Sequence, residues 1–477
     1  MQRFLCWDEK NIDKKSGIRV NQHTPQKKNI ALECSDKWEG VHNGYGGVMK
    51  ADGKYRMYYR ACGHGCGLTE KTQNEDSVSA VCVAESDDGI YFTKPVVGKY
   101  EFGGNKNNNI VFMHSGVIDS FSVFYDSNPN CPEEEKFKAV CLDIGADHAD
   151  FYASADGYDF RYVERINLNG TFDTYNVAFW DEDTEEYRMY FRGFHRADGE
   201  NVCLWDIDYT NDIRDVRLAT SKDFRNWDYK GIIRFDEGQA DIPLYTNQII
   251  KYYREPSTMI GFPARYIDRG DDKKSYGFMP LADIRRDLRE KDNRAGSAIT
   301  DCAIMTSRDG ITFDRREKAF MSPGIESENN WWYGDCYTVY GLVETENEEG
   351  SAKEISFYMG ENYRIRNVDF RRYTLRLDGF FSWTDDGNGG ELITKPFVLN
   401  NKNMYINFET SALGSVVVTV LDKDGNKLEG YRSYTAFGNS TNRRLEFEKP
   451  LDELINTEIK LKIEMKDCNL YSYTFEN

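Results

Sequence analysis

The sequence predicts an all-β protein, a five-bladed β-propeller followed by a C-terminal β-sandwich, and three observations carry that prediction. A turn of the form Ser-x-Asp-Gly-x-x-aromatic recurs at a near-constant spacing. A short strand introduced by an aromatic residue recurs in phase with it. Aromatic residues make up 14% of the 477-residue chain, with 31 Tyr and 28 Phe against 11 Pro, a composition suited to many short strands.

The turn appears as SDDGIYF from Ser86, SADGYDF from Ser154, SKDFRNW from Ser221 with Phe224 in the glycine place, and SRDGITF from Ser307. A looser fifth copy lies around Asp378 and Gly379. Its aspartates, Asp88, Asp156, Asp223, Asp309 and Asp378, are 68, 67, 86 and 69 residues apart. Asp-Gly ahead of an aromatic is a tight turn feeding a strand, so each copy closes one β-unit. Units of about 70 residues with four strands have the size of propeller blades.

Each blade reads the same way along the chain. Tyr45 introduces GGVM, followed by YRMYYRA from Tyr55; Phe121 introduces SVFY, followed by FKAVCLD from Phe137. Tyr175 introduces NVAFW, followed by YRMYFRG from Tyr187; Tyr245 introduces TNQII, followed by MIGFPARY from Met259. Tyr337 introduces TVYGLV, followed by ISFYMGE from Ile355. These are paired antiparallel strands. The 86-residue gap holds a charged insertion before SRDGITF, expected as a surface loop with a short helical stretch. Residues 1–30 are polar and without periodicity and read as an N-terminal arm. The propeller is expected over 31–385. Past the Gly-rich junction DDGNGG, alternating strands over 386–477 predict the β-sandwich.

The net charge of −19, from 61 basic and 80 acidic residues, argues against a phosphate-backbone binder and against an anionic membrane surface. No apolar run reaches spanning length and the first residues lack a signal-peptide core, so a cytoplasmic protein is expected. The 11 Cys are odd in number and scattered, and are expected as thiols. Cys62, His64 and Cys66 in ACGHGC lack an evident fourth ligand and read as a glycine-rich loop, so no metal and no cofactor are expected there. The oligomeric state is not legible.

In a propeller the residues just ahead of each inner strand converge on one face. Asp119, Asp173 and Asp335 stand two residues ahead of the aromatic in blades two, three and five; blade one offers Glu39 and blade four Asp241. Each acid alone is also an ordinary turn former. Crowded together, carboxylates hold different ionisation states, as glycoside hydrolysis requires of its acid and its base or nucleophile. Asp173, Glu39, Asp119 and Asp335 are therefore the candidate catalytic residues. Trp38, Asn43, Arg60, Arg192, His195, Asp241, Arg265 and Trp332 are candidate substrate contacts, the rings offering stacking faces and the Arg side chains donors. A cation held by the acids remains a third reading.

Several segments resemble the five-bladed glycoside hydrolases related to families 32 and 43, in particular an uncharacterised group of that kind. They are WEG at Trp38, DGKYRMYYR at Asp52, SDDGIYFTKP at Ser86, NNNIVF at Asn107, FDTYNVAFWD at Phe172, LYTNQII at Leu244, GFPARY at Gly261, SRDGITFDR at Ser307 and RRYTLRLDGFFS at Arg371. The family 32 motifs Asn-Asp-Pro-Asn-Gly, Arg-Asp-Pro and Glu-Cys have no counterparts. The resemblance implies a glycosidase acting on short oligosaccharides, with furanosides such as fructofuranosides or arabinofuranosides foremost, and matches Glu39 and Asp173 best. Two rivals stand beside it. One is a phosphorylase in which Arg60, Arg192 and Arg265 hold phosphate. The other is a carbohydrate-binding propeller without catalysis.

Overall fold

The computed structural model describes residues 1–41, 43–62, 79–143, 145–208, 211–270, 273–291, 296–363 and 365–477. His64 and Cys66 of the glycine-rich loop lie outside these residues. The described part divides into two compact units, and the larger, residues 26–345 with 356–374, is the five-bladed propeller.

Blade one pairs Gly46–Ala51, Lys54–Cys62, Ser79–Ser86 and Ile110–Met113 in chain order. Its first hairpin turns on Asp52 and Gly53, at φ 51° and 82°, the double left-handed pair that a two-residue turn between twisted strands demands. Blade two pairs Ile118–Tyr125, Phe137–Asp143, Ala149–Ser154 and Arg161–Ile166, and blade three Val177–Asp181, Glu186–His195, Ile213–Ser221 and Trp227–Ile232. Blade four is built on Ile250–Lys251, Met259–Gly261, Met305–Ser307 and Thr312–Arg315, with Arg234–Phe235 added in parallel at its edge. The charged insertion connects the two strands of a second antiparallel pair, Ala264–Asp268 and Ala298–Cys302, and carries the helices Lys273–Tyr276 and Ala282–Lys291.

The recurring turn closes the outer edge of blades one to four. In blade one the Gly89 N–H donates to Ser86 Oγ at 2.9 Å and the Ile90 N–H to Asp88 Oδ1 at 2.7 Å. The same pair of bonds recurs at Ser154 with Asp156 and at Ser307 with Asp309. Aromatic and aliphatic side chains fill the spaces between blades, Val83, Phe121 and Phe137 between blades one and two, and Phe151, Phe191 and Phe224 between blades two and three.

Blade five departs from the expectation. Val343–Glu346, Lys353–Glu361 and Asp369–Arg376 are joined not by a strand after Asp378 but by Gln26–Glu33, so the ring is closed by the beginning of the chain. The reading of residues 1–30 as an arm is thereby corrected: its last residues are a blade strand. Gln2–Leu5, Ile12–Ser16 and Ile18–Gln22 are strands as well. The pattern was hidden because an edge strand such as Ile12–Ser16 leaves most of its side chains in solvent and shows no apolar alternation.

The second unit comprises residues 1–25, 346–355 and 375–477, wider than the expected 386–477. It is one ten-stranded antiparallel sheet rather than two separate sheets. Asn403–Asp422 and Glu458–Glu476 run through it as 20- and 19-residue strands paired along their lengths, and their register breaks between Thr410 and Ser415. Trp383, Phe408, Val418, Leu461, Ile463 and Tyr473 share its buried core. Among the described residues no helix is long and apolar enough to cross a membrane.

Candidate functional site

In four of the five blades the aromatic that introduces the inner strand joins a common cluster, which we take to mark the propeller axis. Tyr45 lies 5.9 Å from Tyr175 and 5.8 Å from Tyr337, which in turn lies 5.6 Å from Tyr245, measured between ring centroids. Four blades thus deliver one tyrosine each to a common cluster. Blade two does not. Phe121 packs against Phe112 and Phe160 in the seam between blades one and two. The pairing of the second blade explains this: Ser120 faces Leu142 and Ile118 faces Asp143, which leaves Asp119 in a bulge. A bulge re-aims a side chain, and Asp119 is turned to Arg60 Nη1 at 3.3 Å and close to Tyr45.

Arg60 and Arg192 occupy matching positions on the second strands of blades one and three, each beside the tyrosine that introduces the inner strand. Both are buried. Arg192 Nη2 pairs with Asp173 Oδ2 at 3.2 Å and its Nη1 donates to the Asp173 carbonyl. Asp173 keeps 45% of its side chain exposed, and Phe172 before it is held at φ 47°, a left-handed strain that steers the aspartate toward the arginine. Arg192 also stacks 4.8 Å from the Tyr245 ring, and Arg214, from the third strand of blade three, stands 5.7 Å from the same ring and 4.4 Å from Tyr266. Burial together with the neighbouring Arg192 charge lowers the pKa of Arg214. Arg214 was not singled out in the sequence, although the Arg-Asp pair at the start of a strand that is buried along almost its whole length was the available signal.

Asp335 precedes Tyr337 by two residues and follows a turn in which its Oδ2 accepts the Trp332 N–H at 2.9 Å. Burial pushes its carboxyl up to about 7, against the pull of that bond and of Arg285. Among the described residues Asn43, fully buried just ahead of Tyr45, has no partner for either amide atom, and Arg60 has none for Nε or Nη2. Buried polar atoms of this kind are met by water or by a bound molecule.

His195 ends the second strand of blade three, with Nδ1 3.1 Å from Asp215 Oδ2 and Nε2 2.7 Å from Asp241 Oδ2. The two carboxylates raise its pKa to about 9 against burial, so the ring is a cation at neutral pH. A cavity of about 250 Å³ opens beside it, walled by Arg214, Asp241 and Phe235 among others.

Four expected site residues are placed elsewhere. Glu39 is fully buried, accepting from Tyr59 Oη at 2.6 Å, the Asp36 N–H at 2.8 Å and Lys94 Nζ at 2.8 Å, and none of the other three acids is among its partners. Its bonding is saturated by the blade, so the expected pairing of Glu39 with Asp173 is not formed. Trp38 bonds Asn109 at 2.9 Å and packs edge-on to Phe102. Arg265 is forked onto Asp301, with Nε to Oδ1 at 2.6 Å. Trp332 lies beneath Arg285 at 3.7 Å, and its indole donates to the Glu328 carbonyl. A turn-and-aromatic pattern in the sequence cannot tell these buried braces from residues at the axis.

His114, Cys141 and Asp143 approach one another within 4.8 Å, a set capable of metal ligation. The Gly116 N–H donates to His114 Nδ1 at 2.7 Å, which puts the neutral ring's proton on Nε2, 2.9 Å from Asp143. A hydrogen-bonded His–Asp pair accounts for that geometry.

No family model and no curated protein matches the chain. Solved structures resemble it at low identity. One is a glycoside hydrolase, 11% identical over 74% of this chain and 92% of its own, with TM-score 0.44. Another is an N-acetylgalactosamine deacetylase from F. plautii in complex with blood group B trisaccharide, 10% identical over 75% and 96%, with TM-score 0.45. A third is from the GH130 family of mannoside phosphorylases, described as containing glycoside hydrolases that target beta-1,2 mannosidic linkages in Candida mannan; it is 13% identical over 74% and 94%, with TM-score 0.42.

Proposed function

We propose that this protein is a glycoside hydrolase whose site lies at the propeller axis, with Asp335 as the proton donor and Asp173 as the carboxylate that attacks or activates water. The observation that carries the reading is the coexistence, at the starts of converging inner strands, of a carboxyl raised to about 7 and a carboxylate ion-paired to a buried arginine. Glycosidic cleavage needs that division of labour, one group to protonate the leaving oxygen and one anion to meet the oxocarbenium-like centre. Asp119, on Arg60, adds a second negative charge close to Tyr45. The partnerless Asn43 amide and Arg60 donors supply hydrogen bonds suited to sugar hydroxyls. Short oligosaccharides, furanosides first, are the substrates to try.

Hydrolysis is favoured over phosphorolysis by one observation. Each of the three arginines that would have cradled phosphate already faces a carboxylate, Arg60 with Asp119, Arg192 with Asp173 and Arg265 with Asp301, whose charge would repel the anion, while the Arg60 Nε and Nη2 donors left over suit a neutral hydroxyl. The test is release of nitrophenol from aryl furanosides and pyranosides by the wild type, Asp173→Asn and Asp335→Asn, with and without inorganic phosphate. Turnover independent of phosphate, lost in both variants at unchanged melting temperature, is the expected result. Phosphate-dependent turnover would select the phosphorylase. Absence of turnover on every sugar under both conditions would overturn the enzyme reading in favour of a binding propeller.

A further inference from the structure

The largest of the described cavities away from the axis has no part in the site above. It encloses about 820 Å³ along blade three, within the range of roughly 300–1,000 Å³ typical of small-ligand pockets. Its wall is aromatic and amide-rich. Trp205, on the short turn Leu204–Asp206, is 78% exposed, and Tyr229 is 41% exposed. Trp227 lies in the same wall, with exposed Asn167, Asn169 and Asn201 around the rings.

An exposed indole is unusual in a chain that buries most of its large aromatics, and here it faces a cavity rather than standing alone on the surface. The charged side chains in the wall already have partners: Arg217 donates to Asp215 Oδ1 at 2.9 Å and to the Phe194 carbonyl at 2.6 Å, and Asp147 Oδ1 lies 2.8 Å from His148 Nδ1. An anionic ligand would find no uncommitted cation there, and an apolar peptide would strand the three asparagines. Flat aromatic faces set among amides, each able to donate and accept, match a neutral sugar, whose rings present C–H faces and whose hydroxyls do both.

We propose that this groove is a second carbohydrate-binding site, which holds a neutral oligosaccharide with Trp205 and Tyr229 as its stacking platforms. One wall of the groove adjoins in sequence the segment that carries Asp173. Gly170 in its wall is three residues ahead of Asp173, and the intervening Thr171 donates its N–H to the Arg192 carbonyl at 3.2 Å. A chain whose end is processed beside Asp173 would lay its remoter sugars against blade three. The choice of ligand class rests on the reading of the axis as a carbohydrate site, whereas the groove itself is tested without turnover.

The experiment is calorimetric titration of neutral gluco-, manno-, xylo-, arabino- and fructo-hexasaccharides into Asp173→Asn protein, alone and combined with Trp205→Ala, Trp205→Phe or Tyr229→Ala. Because Trp205 is exposed, its replacement is expected to leave the melting temperature unchanged. The expected result is binding of at least one hexasaccharide, weakened about tenfold or more by Trp205→Ala and less by Trp205→Phe. Binding that ignores both Trp205→Ala and Tyr229→Ala would overturn the groove and leave the axial site intact. Failure of every hexasaccharide to bind would overturn it as well. Trp205-dependent binding by a protein that turns over no aryl glycoside would uphold the groove while the hydrolase reading falls.

Discussion

Asp335 is the proton donor of the proposed hydrolase, and its burial bears on stability as well as on that role. An unfolded aspartate ionises at about 3.9, and burial carries the folded carboxyl to about 7. A pKa raised on folding means that the folded state favours the protonated form. The resulting stability is complete below about pH 4 and is lost as the pH rises through about 7. Asp335→Asn cannot ionise yet keeps an oxygen for the Trp332 N–H, so it should melt above the wild type at pH 8 and close to it at pH 4. Thermal melts across that range decide the matter. An equal offset at both ends would mean that the carboxyl is not held protonated. The same titration predicts that wild-type turnover declines above about pH 7, since a general acid must hold its proton. Glu39 shows why such a residue is hard to find by spacing. It is the acid that blade one offers toward the same face, in WEG six residues ahead of Tyr45, and only its bonds to Tyr59, Asp36 and Lys94 reveal a brace.

At the scale of the element, the Ser-x-Asp-Gly turn was the most legible feature of the sequence because its hydrogen bonds are local: every donor lies within five residues of its acceptor. The third copy tests how far the motif can bend. Phe224 takes the glycine place at φ 62° and is fully buried, with its ring 4.7 Å from Phe151, 5.5 Å from Phe124 and 5.2 Å from Tyr187. A left-handed non-glycine residue costs about 1–2 kcal/mol, whereas removing a buried phenylalanine costs about 3–5 kcal/mol. Phe224→Gly restores the motif and should nevertheless destabilise the protein, by about 2–3 kcal/mol in denaturant unfolding. A stabilised variant would show that the turn, not the aromatic cluster between blades two and three, governs this position. Blade two marks the limit of such reading. Its aromatic was aligned correctly in sequence, but the bulge at Asp119 shifts which side chain reaches the axis, and a bulge leaves no periodic trace.

For the whole molecule, what the sequence concealed is long-range pairing. Five blades and their order follow from repeats that are local, but the outer strand of the fifth comes from Gln26–Glu33, paired with Asp369–Arg376 more than 300 residues away. The first strands of the chain likewise add to the other unit, where Gln2–Leu5 pairs with the end of the last strand and Ile18–Gln22 with Phe381–Asp385. Neither unit is complete without the N-terminal segment, and loop-closure entropy opposes contacts at such separation. A chain lacking residues 1–33 should therefore expose the unpaired edge of Asp369–Arg376, an invitation to association through strand addition. We expect that chain to elute as aggregates in size-exclusion chromatography and to melt well below the full-length protein. A synthetic peptide of residues 1–33 supplied in excess should restore a monomer and raise the melting temperature, since binding to the folded form alone stabilises it by mass action. A truncated chain that is monomeric and as heat-stable as the full protein would show that closure of the fifth blade by the N-terminal strand contributes nothing, and that the ring is held by its four internally complete blades.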